Sequence, residues 1–442
     1  MKGFVLAGTR SGIGKTTVSM GLMAAFENVS PFKVGPDYID PSFHKFMTGN
    51  KSYNLDLFLM GEEGVKYSFS KHQKDISIVE GVMGLYDGLG NSLDNYSTAH
   101  LARVLDLPVV LVVDAIGKST SIAAEVLGYK NLDPRVKIAG VIINRVSSEK
   151  LYEMLKEAIE EYTKVPCLGY LRKNEELGIS SRHLGLLQAD EVQNLEEKKE
   201  MLKQEIKKTI DLEKIKQIAN LNRTFEGEDI FKNLENLYNG LKVGVAKDKA
   251  FSFYYEDNLE LLNKMGVELL EFSPIDDKCI PDVDVLYFGG GYPENYLEEL
   301  SKNNEFKNSL KSFHEKGGVI YGECGGFMYL TKGIKTLDEK FYSMADLVDC
   351  SIKMTGKLLI SRFGYVDLSY EKLTGRAHEF HYSTIDEVGN DKREFKLLKK
   401  DGREWLCGYK NKNLLAGYPH LHFFKNIDIL KKILEGVKKC HI

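Results

Sequence analysis

No apolar run in the 442 residues approaches the ~18 residues that a membrane-crossing helix needs, so none is expected. The six cysteines, at 167, 279, 324, 350, 407 and 440, are scattered and form no CxxC pair. That argues against a disulfide framework and against a structural zinc site. The formal net charge is only −4, so no global field favours nucleic acid or an anionic membrane. Internal repeats and low-complexity tracts are missing too. An apolar strand begins already at Phe4, which leaves no room for a signal peptide and makes a cytoplasmic location the expectation. What remains is the composition of a globular protein, 43% apolar and 28% charged, with length for two or three domains.

The most informative stretch is the first, GFVLAGTRSGIGKTTVSMGLMAAF. Phe4–Ala7 reads as a buried parallel strand, and Val18, Leu22 and Phe26 recur at helical spacing. Between them lie Gly8, Gly12 and Gly14, then Lys15, Thr16 and Thr17. Strand, glycine-rich loop, GKT and helix make a phosphate-binding loop. Glycines let backbone N–H groups curl around phosphate oxygens, and the helix N-terminus adds partial positive charge. In this pattern Lys15 reaches the β/γ-phosphates of ATP and the Thr16 hydroxyl reaches Mg²⁺. The strict pattern puts its first glycine at position 9, where this chain has Thr9 after Gly8. The shifted form resembles the dethiobiotin-synthetase branch of P-loop proteins, which activate carboxylates.

Further strands are predicted at Ile76–Val79, Val109–Val113, Ala139–Ile143 and Cys167–Leu171, with helices at 96–106, 119–129 and 149–163. Such alternation predicts a doubly wound α/β sheet, which binds ligands at the carboxyl ends of its strands. Four loops there are candidates. FKVGPDYIDPSFH carries Asp37, Tyr38 and Asp40, although Gly-Pro-Asp alone is an ordinary turn. IVEGVMGLYDG puts Glu80 at a strand end, where a carboxylate can hold Mg²⁺ beside a γ-phosphate. Asp94 precedes a helix and suits a cap, and Asn144 suits a hydrogen bond to a base. Residues 190–240 are charged, helical and poor in glycine, and read as a helical linker between domains at 1–189 and 241–442.

The second domain repeats the α/β pattern and contains GVIYGECGGFMYL. Here a strand runs into Gly-Glu-Cys-Gly-Gly and then a helix, the layout of a nucleophile elbow with Cys324 as nucleophile. The helix N-terminus is expected to lower the thiol pKa, and the Gly325 N–H to serve an oxyanion hole. LLAGYPHLHFF supplies His420 and His422 as candidate bases.

Taken together, GTRSGIGKTT, PFKVGPDYIDPSFH, IVEGVMGLYDG, AGVIINRV, GGGYPE, YGECGGFMYL, HEFHYS and HLHF resemble the cobyrinic acid a,c-diamide synthase family along essentially the whole chain. The resemblance implies a P-loop synthetase domain followed by a class I, triad-type glutamine amidotransferase domain. It implies Cys324 as glutaminase nucleophile and His420, in the Tyr-x-His arrangement, as its base. Most triad amidotransferases place a Glu two residues after this His; here His422 stands there, so the third member is absent or supplied elsewhere. His378 and His381 of the HEFHYS segment are left without a role. In the first domain it places Thr16, Glu80 and Asp37 at a Mg²⁺ site and Asp37, Tyr38, Asp40 and Asp94 near the reacting carboxylate and phosphate. Gly12, Gly14, Lys15, Thr16, Thr17 and Asn144 fall to ATP. Arg10 stands where Gly is common, with phosphate contact as its open role. The implied substrates are a corrinoid or related tetrapyrrole, ATP and glutamine, with neither nucleic acid nor membrane as a partner. The same motifs suit amidation of nickel-sirohydrochlorin. A P-loop switch ATPase with an inactive amidase domain is the alternative from another class.

Overall fold

The computed structural model describes residues 2–173, the short strand pairs at 181–182 and 185–186, and residues 194–220 and 227–439. The chain forms two units, one of residues 1–57 and 61–230, the other of Phe58–Met60 with residues 231–442.

In the first unit strands and helices alternate: β1 (Gly3–Gly8), α1 (Lys15–Ala25), β2 (Val29–Val34), α2 (Ile39–Thr48), β3 (Tyr53–Leu55), α3 (Leu57–His72), β4 (Ile76–Glu80), α4 (Thr98–Val104), β5 (Val109–Asp114), α5 (Ser121–Leu132), β6 (Ile138–Val146), α6 (Glu149–Thr163) and β7 (Cys167–Arg172). The sheet is parallel, in the order β3-β2-β4-β1-β5-β6-β7. Its strands are covered on both faces, which is why they are continuous apolar runs rather than alternating ones. The chain winds to one side of β1 through β4 and to the other through β7, so the loops after β1, β2 and β4 converge beside the central strand.

A minor hairpin, β8 (Ser181–Arg182) and β9 (Gly185–Leu186), precedes α7 (Leu195–Thr209) and α8 (Leu212–Ala219). Both helices lie in the first unit. Leu202 and Ile206 of α7 are buried, and Ile206 lies against Gly21 of α1, where a Cβ would strike it. The charged run expected as a linker thus packs, in part, on the P-loop helix.

The second unit contains β10 (Lys242–Ala246), α9 (Glu256–Lys264), β11 (Glu268–Phe272), β12 (Val285–Phe288), α10 (Leu297–Lys302), α11 (Asn304–Glu315), β13 (Val319–Glu323) and α12 (Gly325–Leu330). There follow β14 (Gly333–Lys335), β15 (Phe341–Ser343), β16 (Cys350–Met354), β17 (Gly364–Tyr370), β18 (Leu373–Glu379), β19 (Ser383–Val388), β20 (Lys392–Leu398), β21 (Glu404–Asn411), β22 (Leu414–Gly417), β23 (His420–Leu421) and α13 (Ile427–Glu435). The large sheet runs β11-β10-β12-β13-β22-β21-β20-β17-β18-β23, parallel as far as β22 and antiparallel beyond it. Only Tyr418 and Pro419 separate β22 from β23, yet four strands lie between them in the sheet. The antiparallel part must therefore curl back on itself. That curl brings β18 and β23 to the carboxyl end of β13, where Cys324 sits.

Candidate functional site

The loop after β1 is shaped by conformations that favour glycine, with φ of +70° at Gly12 and +95° at Gly14. A Cβ on Gly14 would collide with the Asn144 amide. Asn144, at the end of β6, donates from Nδ2 to the Ile13 carbonyl at 2.8 Å, so this side chain shapes the loop. Arg145 donates to Asp114 at 2.8 Å and to the Gly12 carbonyl at 2.5 Å. Arg10 also reaches Asp114, at 3.1 Å. Thr17 follows, half-buried on α1.

Lys15 is buried, with Nζ donating to the Arg10 carbonyl at 3.2 Å and the Met83 carbonyl at 2.5 Å. Burial, then the charge of Lys33, pulls its pKa down to about 8. Next to it lies a polar cluster built from β2, α1, α2 and β4. Thr16 Oγ1 donates to Glu80 Oε1 at 2.7 Å and lies 3.5 Å from Asp40 Oδ2. Ser19 donates to the other Glu80 oxygen, which also meets His44 Nε2 at 2.7 Å. His44 Nδ1 lies 3.0 Å from Ser52 Oγ, so the imidazole is held at both nitrogens.

Lys33 sits among these groups, paired with Asp40 and 3.0 Å from Glu80 Oε1. Burial works against its charge, but Asp40 and Glu80 outweigh it and hold the ammonium above the usual lysine range. Glu80 is held well below the carboxylate range, because Lys33 and His44 overcome the cost of its burial. Burial and Asp37 push the Asp40 carboxyl up, with Lys33 opposing. Asp37 Oδ1 accepts from the N–H groups of Ile39 at 2.7 Å and Asp40 at 3.2 Å, capping α2. Asn54 fixes this loop through the carbonyls of Gly35 at 2.8 Å and Asp37 at 2.7 Å. Half-buried Tyr38 lies between the two acids. Asp94 is exposed and paired with Arg103 and Arg135.

In the second unit Cys324 directly follows β13 and caps α12 with φ +47° and ψ −103°, strained for any residue but glycine. Its N–H bonds to the Gly417 carbonyl at 2.8 Å, and Sγ lies 3.6 Å from the Phe380 carbonyl. Gly325 and Gly326 have no room for a Cβ: Gly291 O and Pro293 crowd the first within 2.9 Å, and the Phe288 backbone blocks the second. The elbow geometry is as expected; the thiol is not. Burial, followed by Glu294 and Glu379, pushes the Cys324 thiol up, and the Gly325 N–H opposes this only in part. The helix that follows has six residues, too short a dipole to offset that environment. Cys324 therefore rests as a thiol and needs a base.

His420 of β23 pairs with His378 of β18, the two rings 5.0 Å apart. Burial, followed by the charges of His378 and His381, keeps His420 well below the usual histidine range, so it rests neutral. Its Nδ1 lies 3.9 Å from Glu323 Oε2. His422 is buried against Tyr255 and Phe424, and burial lowers its pKa to about 3. His381 stacks on Tyr418 and meets Ser383 O at 2.8 Å and Glu379 Oε2 at 3.4 Å.

Four residues of these clusters escape a motif reading: Lys33, Ser19, His44 and Glu323. Lys33 had one signal, as a lone charge in the apolar strand of FKV, since a buried lysine must be paired. Among the described residues no group of three or more His, Cys, Asp or Glu side chains is arranged to hold a metal by itself, and no helix is long and apolar enough to cross a membrane.

Residues 4–187 match the CobQ/CobB/MinD/ParA nucleotide binding domain, and residues 242–427 match the CobB/CobQ-like glutamine amidotransferase domain. A cobyrinate a,c-diamide synthase of Fusobacterium nucleatum is 57% identical, covering 98% of this chain and 100% of the relative. Proteins of the same name from Clostridium tetani and Listeria innocua are 47% and 43% identical, covering 98% and 99% of this chain and 100% of each relative. With both domains matched and full-length relatives this similar, the chain belongs to the cobyrinate a,c-diamide synthase family.

Proposed function

We propose that the chain is an ATP- and glutamine-dependent ligase of cobalamin biosynthesis, acting in the cytoplasm. It converts the a and c acetate carboxylates of cobyrinic acid to amides. The observation that carries this reading is the 57% identity over 98% of the chain to a protein named for that product. The names of the relatives favour cobyrinate over nickel-sirohydrochlorin.

A carboxylate is a poor electrophile, so it is first phosphorylated by ATP. Lys15 and the loop N–H groups hold the phosphates and offset charge on the transferring phosphoryl group. Thr16 and Glu80 provide hard oxygen donors within 2.7 Å of each other, a set that fits Mg²⁺ completed by phosphates and water. When bound there, Mg²⁺ supplies charge neutralisation at the phosphates. Lys33 keeps Glu80 ionised, and Ser19 and His44 fix its orientation. Asp37 and Asp40 face the carboxylate substrate from a loop pinned by Asn54, with Tyr38 between them.

At the second site the Cys324 sulfur attacks the side-chain amide carbon of glutamine and its proton passes to His420. The oxyanion meets the Gly325 N–H, and the proton leaves with the amide nitrogen as ammonia. Water then releases glutamate, while ammonia attacks the acyl phosphate to give amide and phosphate. Parallel assays with cobyrinic acid and nickel-sirohydrochlorin, each with ATP and glutamine, test the reading. Faster turnover of the nickel compound would refute it.

A further inference from the structure

We propose that Glu323 is the positioning residue for His420, taking the place of the acid that position 422 lacks. The inference rests on the glutaminase reading of Cys324 and His420. Glu323 directly precedes Cys324, and its side chain is fully enclosed. Oε1 accepts from the Tyr321 hydroxyl at 2.8 Å and from the Leu421 N–H at 3.1 Å, and Oε2 accepts from the Tyr287 hydroxyl at 3.1 Å. Asn258 takes the other side of the same backbone, donating to the Leu421 carbonyl at 2.8 Å and accepting from the Phe423 N–H at 2.7 Å. Both polar groups of Leu421, next to His420, are thus gripped by buried side chains.

From that fixed backbone the imidazole presents Nδ1 to Glu323 Oε2 at 3.9 Å. This is too long for a hydrogen bond in the resting site. It is close enough for Glu323, once ionised above about pH 7, to attract the imidazolium that forms when the ring takes the thiol proton. The proton enters through the ring nitrogen away from Glu323. The other buried acid nearby, Glu379, is engaged by Trp405 Nε1 at 3.2 Å and His381 at 3.4 Å, and the charge of His378 disfavours a cation on His420.

The test compares wild type, Glu323→Gln, His420→Ala and the double variant. Two readouts are used, both at a fixed pH above about 7, where Glu323 is a carboxylate: the rate at which iodoacetamide alkylates Cys324, and kcat and KM for glutamine hydrolysis. Glutamine keeps the shape of the residue and can accept the Leu421 N–H. Glu323→Gln is expected to slow alkylation and kcat roughly 10- to 100-fold with little change in KM. In the His420→Ala background the same substitution is expected to change alkylation by less than about twofold, since its effect passes through the missing ring. Wild-type rates in Glu323→Gln would overturn the proposal. So would an equal slowing with and without His420, which marks a structural prop. A wild-type chain unable to hydrolyse glutamine would refute the glutaminase reading, while the alkylation rates would still decide the coupling.

Discussion

On the proposed roles, three side chains divide the chemistry: Cys324 in the second unit, Lys15 and Glu80 in the first. Cys324→Ala should abolish glutamine-dependent amidation and spare the ammonia-dependent reaction, because the phosphorylated carboxylate is made at the other site. Steady-state rates with each nitrogen source check this; equal loss with both would contradict it. Lys15→Ala and Glu80→Gln should instead lose activity with either source, by ~10²-fold or more, since each is proposed to act where phosphoryl charge builds up. Glu323 also makes a prediction about stability. Burial raises its pKa from 4.5 to about 7, so the folded chain holds that proton more tightly than the unfolded one. This contribution is fully present below pH 4.5, fades as pH rises, and is lost once pH passes about 7. Urea midpoints of Glu323→Gln between pH 4.5 and pH 7 should fall less steeply than those of wild type. Parallel slopes would show that the carboxyl is not buried in the folded state.

At the scale of elements, what is local was legible. The β1 strand, the glycine loop and α1 read directly, because fewer than thirty consecutive residues make them. The Cys324 elbow read for the same reason. Lys33 did not, because its partner Glu80 lies 47 residues away and only strand pairing of β2 with β4 brings them together. Glu323 needed the curl of the second sheet, which no local pattern announces. In 195–209 the charges masked buried apolar positions, Leu195, Leu202 and Ile206, on one face of α7. The GPDYIDP loop shows both of its readings at once: Asp37 caps α2 as a turn residue would, and Asp40 joins the charged cluster. The Asn variants should accordingly differ in kind. Asp40→Asn, beside Lys33 and Thr16, should block activation of both carboxylates. Asp37→Asn should weaken cobyrinic acid binding or let a monoamide accumulate. Mass spectrometry of products, with ATP and substrate titrations, distinguishes them; wild-type rates and only diamide in both would return the loop to a simple turn.

The whole molecule joins a phosphate-binding unit and a thiol-bearing unit in one chain, each with its own sheet and core. Neither chemistry suffices alone: an acyl phosphate without ammonia hydrolyses, and ammonia without an acyl phosphate escapes. The central claim is that one chain couples the two on a corrinoid, twice. The most direct test incubates the purified protein with cobyrinic acid, ATP and glutamine labelled with ¹⁵N in its side-chain amide, then weighs the product and counts ADP. The account predicts an a,c-diamide carrying label in both new amides, with one ADP formed per amide. Glutamate and ADP released without labelled diamide, or a diamide whose nitrogen is unlabelled, would contradict it.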